Sequence, residues 1–402
     1  MVRMSKMSLP SAALCCLLAA GCVLTEKQQP QTAGQLPINP EDCGDAQTVP
    51  DIYCFDFMDV PSVVAPKHVV GARFVEASPT RFAVFAAGGN STMLAWENGT
   101  LSTAPLLSGI SPAADTHVTA ADVRGSALPD LVFTHLWGAS VAPNEAGNFG
   151  ALIPAGLPEA AFAEAGNTFP FDIGSDGQSE YLKGSGAELR LWRPTMDAWE
   201  PDAEGFPVPG CKIVTDLALG DFNGDGRSDV AYIGSPDTDS NPDACADFST
   251  HGVAILLQSE VGQLQQMPLV STSQHKFYSV EARDFDGDGF FDVATLTGSK
   301  EVLLFRSKGD GTFQPPVTIS NALAFALGDF DGDGDAECVF SGPENSIAIA
   351  DHVFAQLSVT LLPGLTGIPL GTGDLNNDEV DDFALLWDGV DVPTLGLAIS
   401  NP

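Results

Sequence analysis

A nine-residue acidic loop that occurs four times is the feature that most constrains the fold of this 402-residue chain. Oxygen-bearing side chains occupy positions 1, 3, 5 and 9 of every copy, and glycines occupy positions 4 and 6 of the first three. Glycine lets a backbone turn with positive φ without a clash of Cβ. The copies are DFNGDGRSD at Asp221–Asp229, DFDGDGFFD at Asp284–Asp292, DFDGDGDAE at Asp329–Glu337 and DLNNDEVDD at Asp374–Asp382.

The spacing of these oxygen atoms predicts a Ca²⁺ site in each loop. Ca²⁺ takes about six to eight oxygen ligands, and a tight loop of alternating carboxylates can wrap around one ion. We expect about four structural Ca²⁺ ions, because the carboxylates of one loop repel one another without a metal. Glu379 replaces the second glycine of the fourth loop, the least regular of the four. The predicted ligands are the side chains of Asp221, Asn223, Asp225, Asp229, Asp284, Asp286, Asp288, Asp292, Asp329, Asp331, Asp333, Glu337, Asp374, Asn376, Asp378 and Asp382, and the carbonyls of Arg227, Phe290, Asp335 and Val380.

An EF-hand is the obvious alternative to these loops, and the sequence argues against it. An EF-hand closes its loop with a bidentate glutamate at position 12, between two helices. The flanking segments here are short and rich in β-branched and aromatic residues, such as DVAYIG after the first loop, which is typical of strands. Each loop is therefore predicted to join two strands of a hairpin. Position 12 holds Tyr232, Thr295, Phe340 and Leu385, none of which is a carboxylate.

The loops belong to a longer repeat. They begin 63, 45 and 45 residues apart, and weaker copies begin upstream at Asp172, Asp122 and Glu76. Repeats of this length are typical of propellers and solenoids, and the unit around the second loop shows four short strands, YSVEARDF, DVATLTG, EVLLFRS and PPVTIS. Seven units predict an all-β, seven-bladed β-propeller of four-stranded blades. The last unit lacks one strand, and we expect residues 52–64 to supply it and close the ring.

The second half of the chain resembles a known repeat. GDFNGDGRSDVAYIG, ARDFDGDGFFDVATLTG and GDFDGDGDAECVFSG are similar to the FG-GAP repeats of integrin α-subunit propellers and to the related VCBS repeats of exported bacterial proteins. GDGTFQPPVTI is similar to the segment between blades of the VCBS type. The resemblance covers about residues 60–400 and is clearest in the last four units. It implies a seven-bladed scaffold for adhesion and ligand binding, with mainly structural calcium on the hairpin between the first two strands of a blade.

The first 21 residues have the pattern of a lipoprotein signal peptide. Arg3 and Lys6 precede the apolar run Leu9–Ala20, which is too short to span a bilayer as a mature helix. The small residues before Cys22 resemble a bacterial lipobox, which predicts cleavage before Cys22 and a lipid on its sulfur; a plain signal peptide is the alternative. We then expect a flexible tether over residues 22–50 and the propeller over residues 51–402. The protein is expected to be an exported lipoprotein of the outer membrane or cell surface.

The cysteines left after removal of the signal peptide predict two disulfides. In an oxidising compartment the natural pairings are Cys43 with Cys54 and Cys211 with Cys245. The second pair would staple a long loop to its own repeat. Cys338 lies in the apolar run ECVF and is expected to be a buried thiol.

The composition is strongly acidic. The chain has 53 acidic and 17 basic residues and a net charge of −36, which becomes −38 when Arg3 and Lys6 leave with the signal peptide. Such a charge argues against nucleic acid or an anionic membrane surface as a partner. We expect a monomer that contacts a membrane through the lipid at Cys22 alone.

The sequence favours a binding or adhesion scaffold for a protein or glycan ligand over an enzyme, and predicts no catalytic residue. No GxSxG, Walker or dinucleotide-binding motif is present, and the six histidines form no HxH or HExxH pair. A polysaccharide lyase would need a basic cluster to bind an acidic sugar and abstract a proton, and the chain has none. A lectin would repeat aromatic pockets, whereas the five tryptophans do not recur at a fixed phase. Lyase-like enzyme and lectin remain the alternatives.

Overall fold

The computed structural model describes residues 22–23, 53–76, 78–86, 89–108, 116–135, 138–162, 167–174, 176–185, 188–195, 198–208, 213–235, 252–270, 277–387 and 392–400. Regular structure in these ranges is almost entirely β, with two short 3-10 turns at Glu159–Phe162 and Pro343–Asn345. The all-β prediction is therefore confirmed. Within the same ranges, no helix combines the length and the apolar character needed to cross a bilayer.

Short strands alternate with glycine-rich, asparagine-rich and acidic turns, as the sequence pattern predicts. Strands buried on both faces have an apolar centre, as in the segment DLVFTH, in which Leu131, Val132 and Phe133 are all buried. In chain order the strands are β1 (Cys22–Val23), β2 (Cys54–Val64), β3 (Pro66–Ala72), β4 (Arg81–Ala86), β5 (Asn90–Glu97), β6 (Thr100–Ser108), β7 (His117–Ala121), β8 (Asp130–His135), β9 (Gly138–Ala142), β10 (Asn144–Glu145), β11 (Asn148–Phe149), β12 (Ile153–Pro154), β13 (Thr168–Phe171), β14 (Glu180–Ser185), β15 (Glu188–Pro194), β16 (Trp199–Pro201), β17 (Phe206–Pro207), β18 (Ile213–Gly220), β19 (Asp229–Ser235), β20 (Val253–Gln258), β21 (Leu264–Gln266), β22 (Phe277–Arg283), β23 (Asp292–Thr297), β24 (Glu301–Phe305), β25 (Val317–Ser320), β26 (Ala324–Gly328), β27 (Glu337–Ser341), β28 (Ser346–Asp351), β29 (Ser358–Gly373), β30 (Asp382–Trp387) and β31 (Thr394–Ser400).

Hairpin connections place consecutive strands side by side in antiparallel sheets. Five sheets are separate blades, in the orders β3-β4-β5-β6, β7-β8-β9-β12, β13-β14-β15-β16, β18-β19-β20-β21 and β22-β23-β24-β25. β17 also pairs with β15, and β10 pairs with β11 in a two-stranded hairpin. Four-stranded antiparallel units that follow one another along the chain define a β-propeller.

The remaining strands form one continuous eight-stranded sheet, in the order β26-β27-β28-β29-β30-β31-β2-β1. Its strand β29 is 16 residues long, and its first part pairs with β28 while residues 367–373 pair with β30. The prediction of seven separate blades is therefore wrong, since the described residues show five. The chain runs from one unit into the next within β29 without a hairpin turn, so the two units share one strand, whose first part pairs with β28 and whose last part pairs with β30.

The strand that was predicted to close the ring is present. β2 pairs antiparallel with β31 at the opposite end of the chain, and Phe55 lies opposite Ser400. The Phe55 ring is buried and packs edge-on against Phe383, with ring centroids 5.1 Å apart. Both ends of the described fold are therefore held in one sheet.

The hydrophobic core lies between the faces of successive sheets. One cluster joins buried Phe285 and Leu304 around the fifth blade to Leu327 and Cys338 of the next sheet. Burial of such a side chain contributes about 1.5–3 kcal/mol. Phe285 is the second residue of the second acidic loop, so this packing anchors the loop to the core. Cys338 is a free, buried thiol, as the sequence predicted.

Several predictions fall outside the described residues. The signal peptide lies there, as does the tether apart from the backbone of Cys22 and Val23. Cys43, Cys211 and Cys245 of the expected disulfides also lie outside, and only the backbone of Cys54 is described. The disulfides and the lipid at Cys22 therefore stay predictions.

Candidate metal sites

Each acidic loop joins the first two strands of its unit, as predicted. In the first loop, Gly220 at the end of β18 pairs with Asp229 at the start of β19. This register places position 9 at the first residue of the second strand, so all four loops share one backbone frame. The corresponding closing pairs of the other loops are Arg283 with Asp292, Gly328 with Glu337, and Gly373 with Asp382.

The first aspartate of each loop holds the turn by accepting backbone hydrogen bonds. Asp221 Oδ1 accepts from the N–H of Gly224 at 2.7 Å, and Asp221 Oδ2 accepts from the N–H of Gly226 at 2.7 Å. The two glycines have φ of 74° and 80°, a region that glycine enters without a Cβ clash. Each loop is thus folded around its first carboxylate. The equivalent bonds from position 6 run from Gly289 to Asp284, from Gly334 to Asp329 and from Glu379 to Asp374.

The ninth side chain is buried and ties the loop to the third strand of its sheet. Asp229 Oδ2 accepts from the N–H of Phe222 at 3.0 Å, and Asp229 Oδ1 accepts from the N–H of Gln258 at 2.7 Å. Asp292 and Asp382 make the same two kinds of contact. Burial raises the pKa of Asp229 to about 6, of Asp292 to about 7 and of Asp382 to about 8. A nearby cation favours the charged carboxylate and opposes this effect of burial.

Two loops bring three carboxylates close enough together to hold one metal ion. In each, one oxygen from every member lies within 4.8 Å of the others. Carboxylate oxygens are the donors that Ca²⁺ prefers. The two groups are Asp284, Asp286 and Asp292 in the second loop and Asp329, Asp331 and Asp333 in the third.

The donor set around these two groups fits a cation. Asp286 Oδ1 and Glu337 Oε1 are buried and have no hydrogen-bond partner among the described residues, although buried oxygen atoms are normally paired. A bound cation would supply the missing partner. Asp288 was also predicted as a ligand, but it lies outside the group and pairs with Arg306 at 3.3 Å.

The first and fourth loops, as described, form no such group of three acidic oxygens. In the first loop, Asp225 Oδ2 accepts from Asn223 Nδ2 at 3.1 Å and lies 2.5 Å from Arg227 Nη2. In the fourth, Asp378 Oδ2 accepts from Asn376 Nδ2 at 2.7 Å. The carboxylates at position 5 are therefore partnered by donors of the chain itself. The ligand roles of all the predicted side chains, and of the carbonyls of Arg227, Phe290, Asp335 and Val380, stay predictions.

The degenerate loop Asp122–Asp130 contains its own cation, which sequence reasoning missed. Asp130 at position 9 is fully buried and accepts from the N–H of Asn144 at 2.8 Å. Arg124 at position 3 places Nη2 and Nε 2.8 and 3.0 Å from Asp130 Oδ1. A guanidinium therefore neutralises the carboxylate that closes this loop. The sequence signal was a basic residue at a ligand position.

These features define the class of protein as a β-propeller with cation-competent acidic loops on the hairpins between the first two strands of its units. Residues 284–340 match the family model of the FG-GAP-like repeat. The match spans the second and third acidic loops, the two that form acidic groups. The chain thus contains an FG-GAP-like repeat within a β-propeller, which confirms the resemblance read from the sequence.

Solved structures with the same architecture bind different kinds of ligand. A lectin of Agrocybe aegerita that recognises non-reducing terminal N-acetylglucosamine is 19% identical over 74% of this chain and 80% of its own, with a TM-score of 0.51. BBS1N, crystallised in complex with ARL6DN and soaked with lead, is 12% identical over 85% of this chain and 95% of its own, with a TM-score of 0.52. At these identities the likeness shows the fold alone. No curated protein is significantly similar to the chain.

Proposed function

We propose that this protein is a calcium-stabilised propeller that acts as a non-catalytic binding scaffold for a protein or glycan ligand. The observation that carries the proposal is the pair of three-carboxylate groups built into hairpin loops that also anchor the core. A cation there would relieve the repulsion between carboxylates and stabilise the fold. The FG-GAP-like repeat over residues 284–340 supports the same role.

We propose four calcium sites, one in each acidic loop. The first and fourth loops share the backbone frame of the second and third, including the hydrogen bonds at positions 1 and 9. Binding there would require Asn223 and Asn376 to turn their side-chain oxygens toward the ion. We also propose that the continuous sheet counts as two blades divided within β29, which makes the ring seven-bladed.

The ligand is proposed to be a protein or a glycan on the grounds of architecture. One structural neighbour recognises N-acetylglucosamine and another was crystallised in a complex with a second protein. The first neighbour favours a lectin as the second candidate function. Binding to a glycan array would support the lectin, whereas a protein recovered by pull-down and confirmed with purified components would support the protein scaffold.

We further propose that the protein is an exported, monomeric lipoprotein attached to the outer membrane or cell surface through Cys22. The motif before Cys22 and the polar residues 23–50 support this location. Metabolic labelling with a tagged fatty acid tests it: the wild-type chain should be labelled and Cys22→Ser should not. An unlabelled wild-type chain would contradict the lipid anchor.

Thermal unfolding with and without calcium tests the proposed stabilisation. The melting temperature should rise by several degrees between excess EDTA and millimolar CaCl₂, because binding to the folded state alone adds to stability. Asp286→Asn and Asp331→Asn should each reduce the rise by removing a carboxylate from one group. Asp202→Asn is the control. Asp202 pairs with Arg193 and lies outside the second and third loops. An identical melting temperature in both buffers would refute the calcium assignment.

A further inference from the structure

The residue opposite the ninth loop position differs in charge between otherwise equivalent loops. The ninth residue begins the second strand of its unit, and the third strand runs antiparallel beside it. Residues directly opposite each other in such a pair share one face of the sheet, with Cβ atoms about 5 Å apart. Continued by one residue, the observed registers pair Asp229 with Leu257, Asp292 with Arg306, Glu337 with Asp351, and Asp382 with Ile399.

In the second loop this position carries a positive charge. Arg306 Nη2 lies 2.5 Å from Asp286 Oδ2 and 3.3 Å from Asp288 Oδ2. A guanidinium stays charged at any pH at which a protein is folded. A metal ion in the group that contains Asp286 must therefore displace this charge or bind against its repulsion.

In the third loop the same position holds a second buried carboxyl group. Asp351 is 4% exposed and faces Glu337, which is 1% exposed. Glu337 Oε1 has no hydrogen-bond partner within the described part of the chain, and Asp351 Oδ1 lies 3.3 Å from Nδ1 of the partly exposed His352. Like charges directly opposite each other destabilise a sheet. Buried Asp331 of the acidic group adds a further carboxylate, and burial together with Asp331 and Asp351 raises the pKa of Glu337. A cation in this pocket would relieve repulsion among all three groups.

We infer that the residue opposite the ninth position sets the order in which the loops take up calcium. Asp351 makes the third loop the tightest site, and Arg306 makes the second loop a weaker site although its three loop carboxylates also lie within 4.8 Å of one another. Leu257 and Ile399 leave the first and fourth loops without an added charge from this position. The inference rests on the proposed calcium binding and adds two residues outside the nine-residue loops.

Calorimetric calcium titration of the purified full chain, stripped with a chelator, tests the order of affinity. Asp351→Asn should weaken the tightest site by about tenfold, and Arg306→Gln should strengthen a weaker site by about tenfold, as expected for one charged partner. A second substitution, Asp284→Asn, should abolish the gain given by Arg306→Gln and so assign it to the second loop. Arg190→Gln is the matched control, because Arg190 has the same 36% exposure and pairs with Glu188 at 2.7 Å.

Melting temperatures in two buffers separate this role from a purely structural one. Asp351→Asn should melt higher than wild type in EDTA, because repulsion with Glu337 is relieved, and should gain less from calcium. Arg306→Gln should melt lower in EDTA, because the loop acids lose their cation, and should gain more from calcium. If the residue had a structural role alone, the melting temperature of its variant would differ from that of the wild type by the same amount in EDTA and in calcium.

The outcomes are distinct. Opposite changes in the calcium response of the two variants, with Arg190→Gln unchanged, support the inference. If the wild type binds calcium and both variants bind it with the affinities of the wild type, the inference is overturned and the proposed function stands. Absence of calcium binding in the wild type overturns both.

Discussion

A buried carboxylate closes the turn of each acidic loop, and the molecule neutralises it in more than one way. Asp130 is fully buried and receives the guanidinium of Arg124. Glu337 faces Asp351 and has an oxygen without a partner among the described residues. In the loop Asp122–Asp130 a residue of the chain supplies the positive charge, and in the third acidic loop the proposed calcium ion would supply it.

Arg124→Gln should destabilise the protein by about 2–3 kcal/mol, because it leaves the buried carboxylate of Asp130 without its charged partner. The loss should be the same in EDTA and in calcium, since this loop supplies its own cation. Urea unfolding in both buffers measures it. Arg190→Gln, which breaks a more exposed pair with Glu188, should cost at most about 1 kcal/mol. Equal losses in the two variants would contradict the prediction.

We expect Glu281, which lies outside the acidic loops, to make the stability of the protein depend on pH. Its Oε2 accepts the N–H of Leu327 at 3.2 Å and so links β22 to β26. Burial, and then the charge of Asp216, raise the pKa of Glu281 to about 8. The folded state therefore holds a proton that the unfolded state releases near pH 4.5, and stability falls as the pH rises from about 4.5 to about 8.

Glu281→Gln cannot ionise and should lose this dependence. Its melting temperature relative to wild type should increase from about pH 5 to about pH 9. Thermal unfolding at the two pH values measures the change, and Glu97→Gln, at an exposed site on β5, is the control. A constant difference between variant and wild type at both pH values would show that Glu281 does not titrate in this range.

The sequence was sufficient to predict the residues of the acidic loops, but not the charged residues outside the loops that lie against them. All nine loop positions lie within one turn, so local spacing predicts that Asp284 and Asp286 meet. Arg306 and Asp351 come 14 residues after the ninth position of their loops. They reach the loops only through the register of the third strand, which local spacing does not specify. Arg124 stands out in the sequence as a basic residue at a ligand position, but its ion pair with Asp130 is seen only in the structure.

At the scale of the loop, two glycines of one turn make different demands on the backbone. Gly224 and Gly226 both have positive φ. A Cβ on Gly226 would meet nothing within 4 Å, whereas a Cβ on Gly224 would lie 2.4 Å from the ring of Phe290. In the fourth loop, Asn377 and Glu379 take up the corresponding conformations, with φ of 64° and 70°, so the frame tolerates side chains where there is space.

Gly226→Ala should cost about 1 kcal/mol, because only the left-handed backbone is strained. Gly224→Ala should cost clearly more, because the ring of Phe290 must also move. Chemical denaturation of the two variants gives the comparison, and Gly99→Ala, at an open turn with φ of 76°, controls for backbone strain alone. Equal losses of stability in the two variants would mean that the ring of Phe290 moves aside at no cost.

At the scale of the strand, the sequence predicted where strands lie better than where they are interrupted. Runs of β-branched and aromatic residues placed the hairpins around all four loops, and in each hairpin the residue before the loop pairs with the ninth loop position. The spacing of 45 residues between the last two loops is the same as that between the preceding two, yet within the described residues only the last pair of units shares one strand. Continuity of β29 from residue 358 to residue 373 is a feature of the path between the two units, which spacing alone does not encode.

At the scale of the whole molecule, the pairing of β2 with β31 joins the two ends of the fold. A chain that begins at residue 51 should keep the melting temperature of the full chain, because β2 remains. A chain that begins at residue 66 should melt at least several degrees lower and aggregate, because the edge of β31 and the ring of Phe383 are uncovered. Circular dichroism and light scattering measure both effects. Equal stability of the two truncations would show that β2 is dispensable.

The same pairing has a consequence for the order of folding. Phe55 meets Ser400 only after the chain between them has taken its place, and contacts so distant in sequence form slowly. A ribosome makes β2 among the first strands and β31 last of the described strands, so β2 cannot pair with β31 until the rest of the propeller has been made. Until they meet, two strand edges stay unpaired and are open to wrong pairing with other chains.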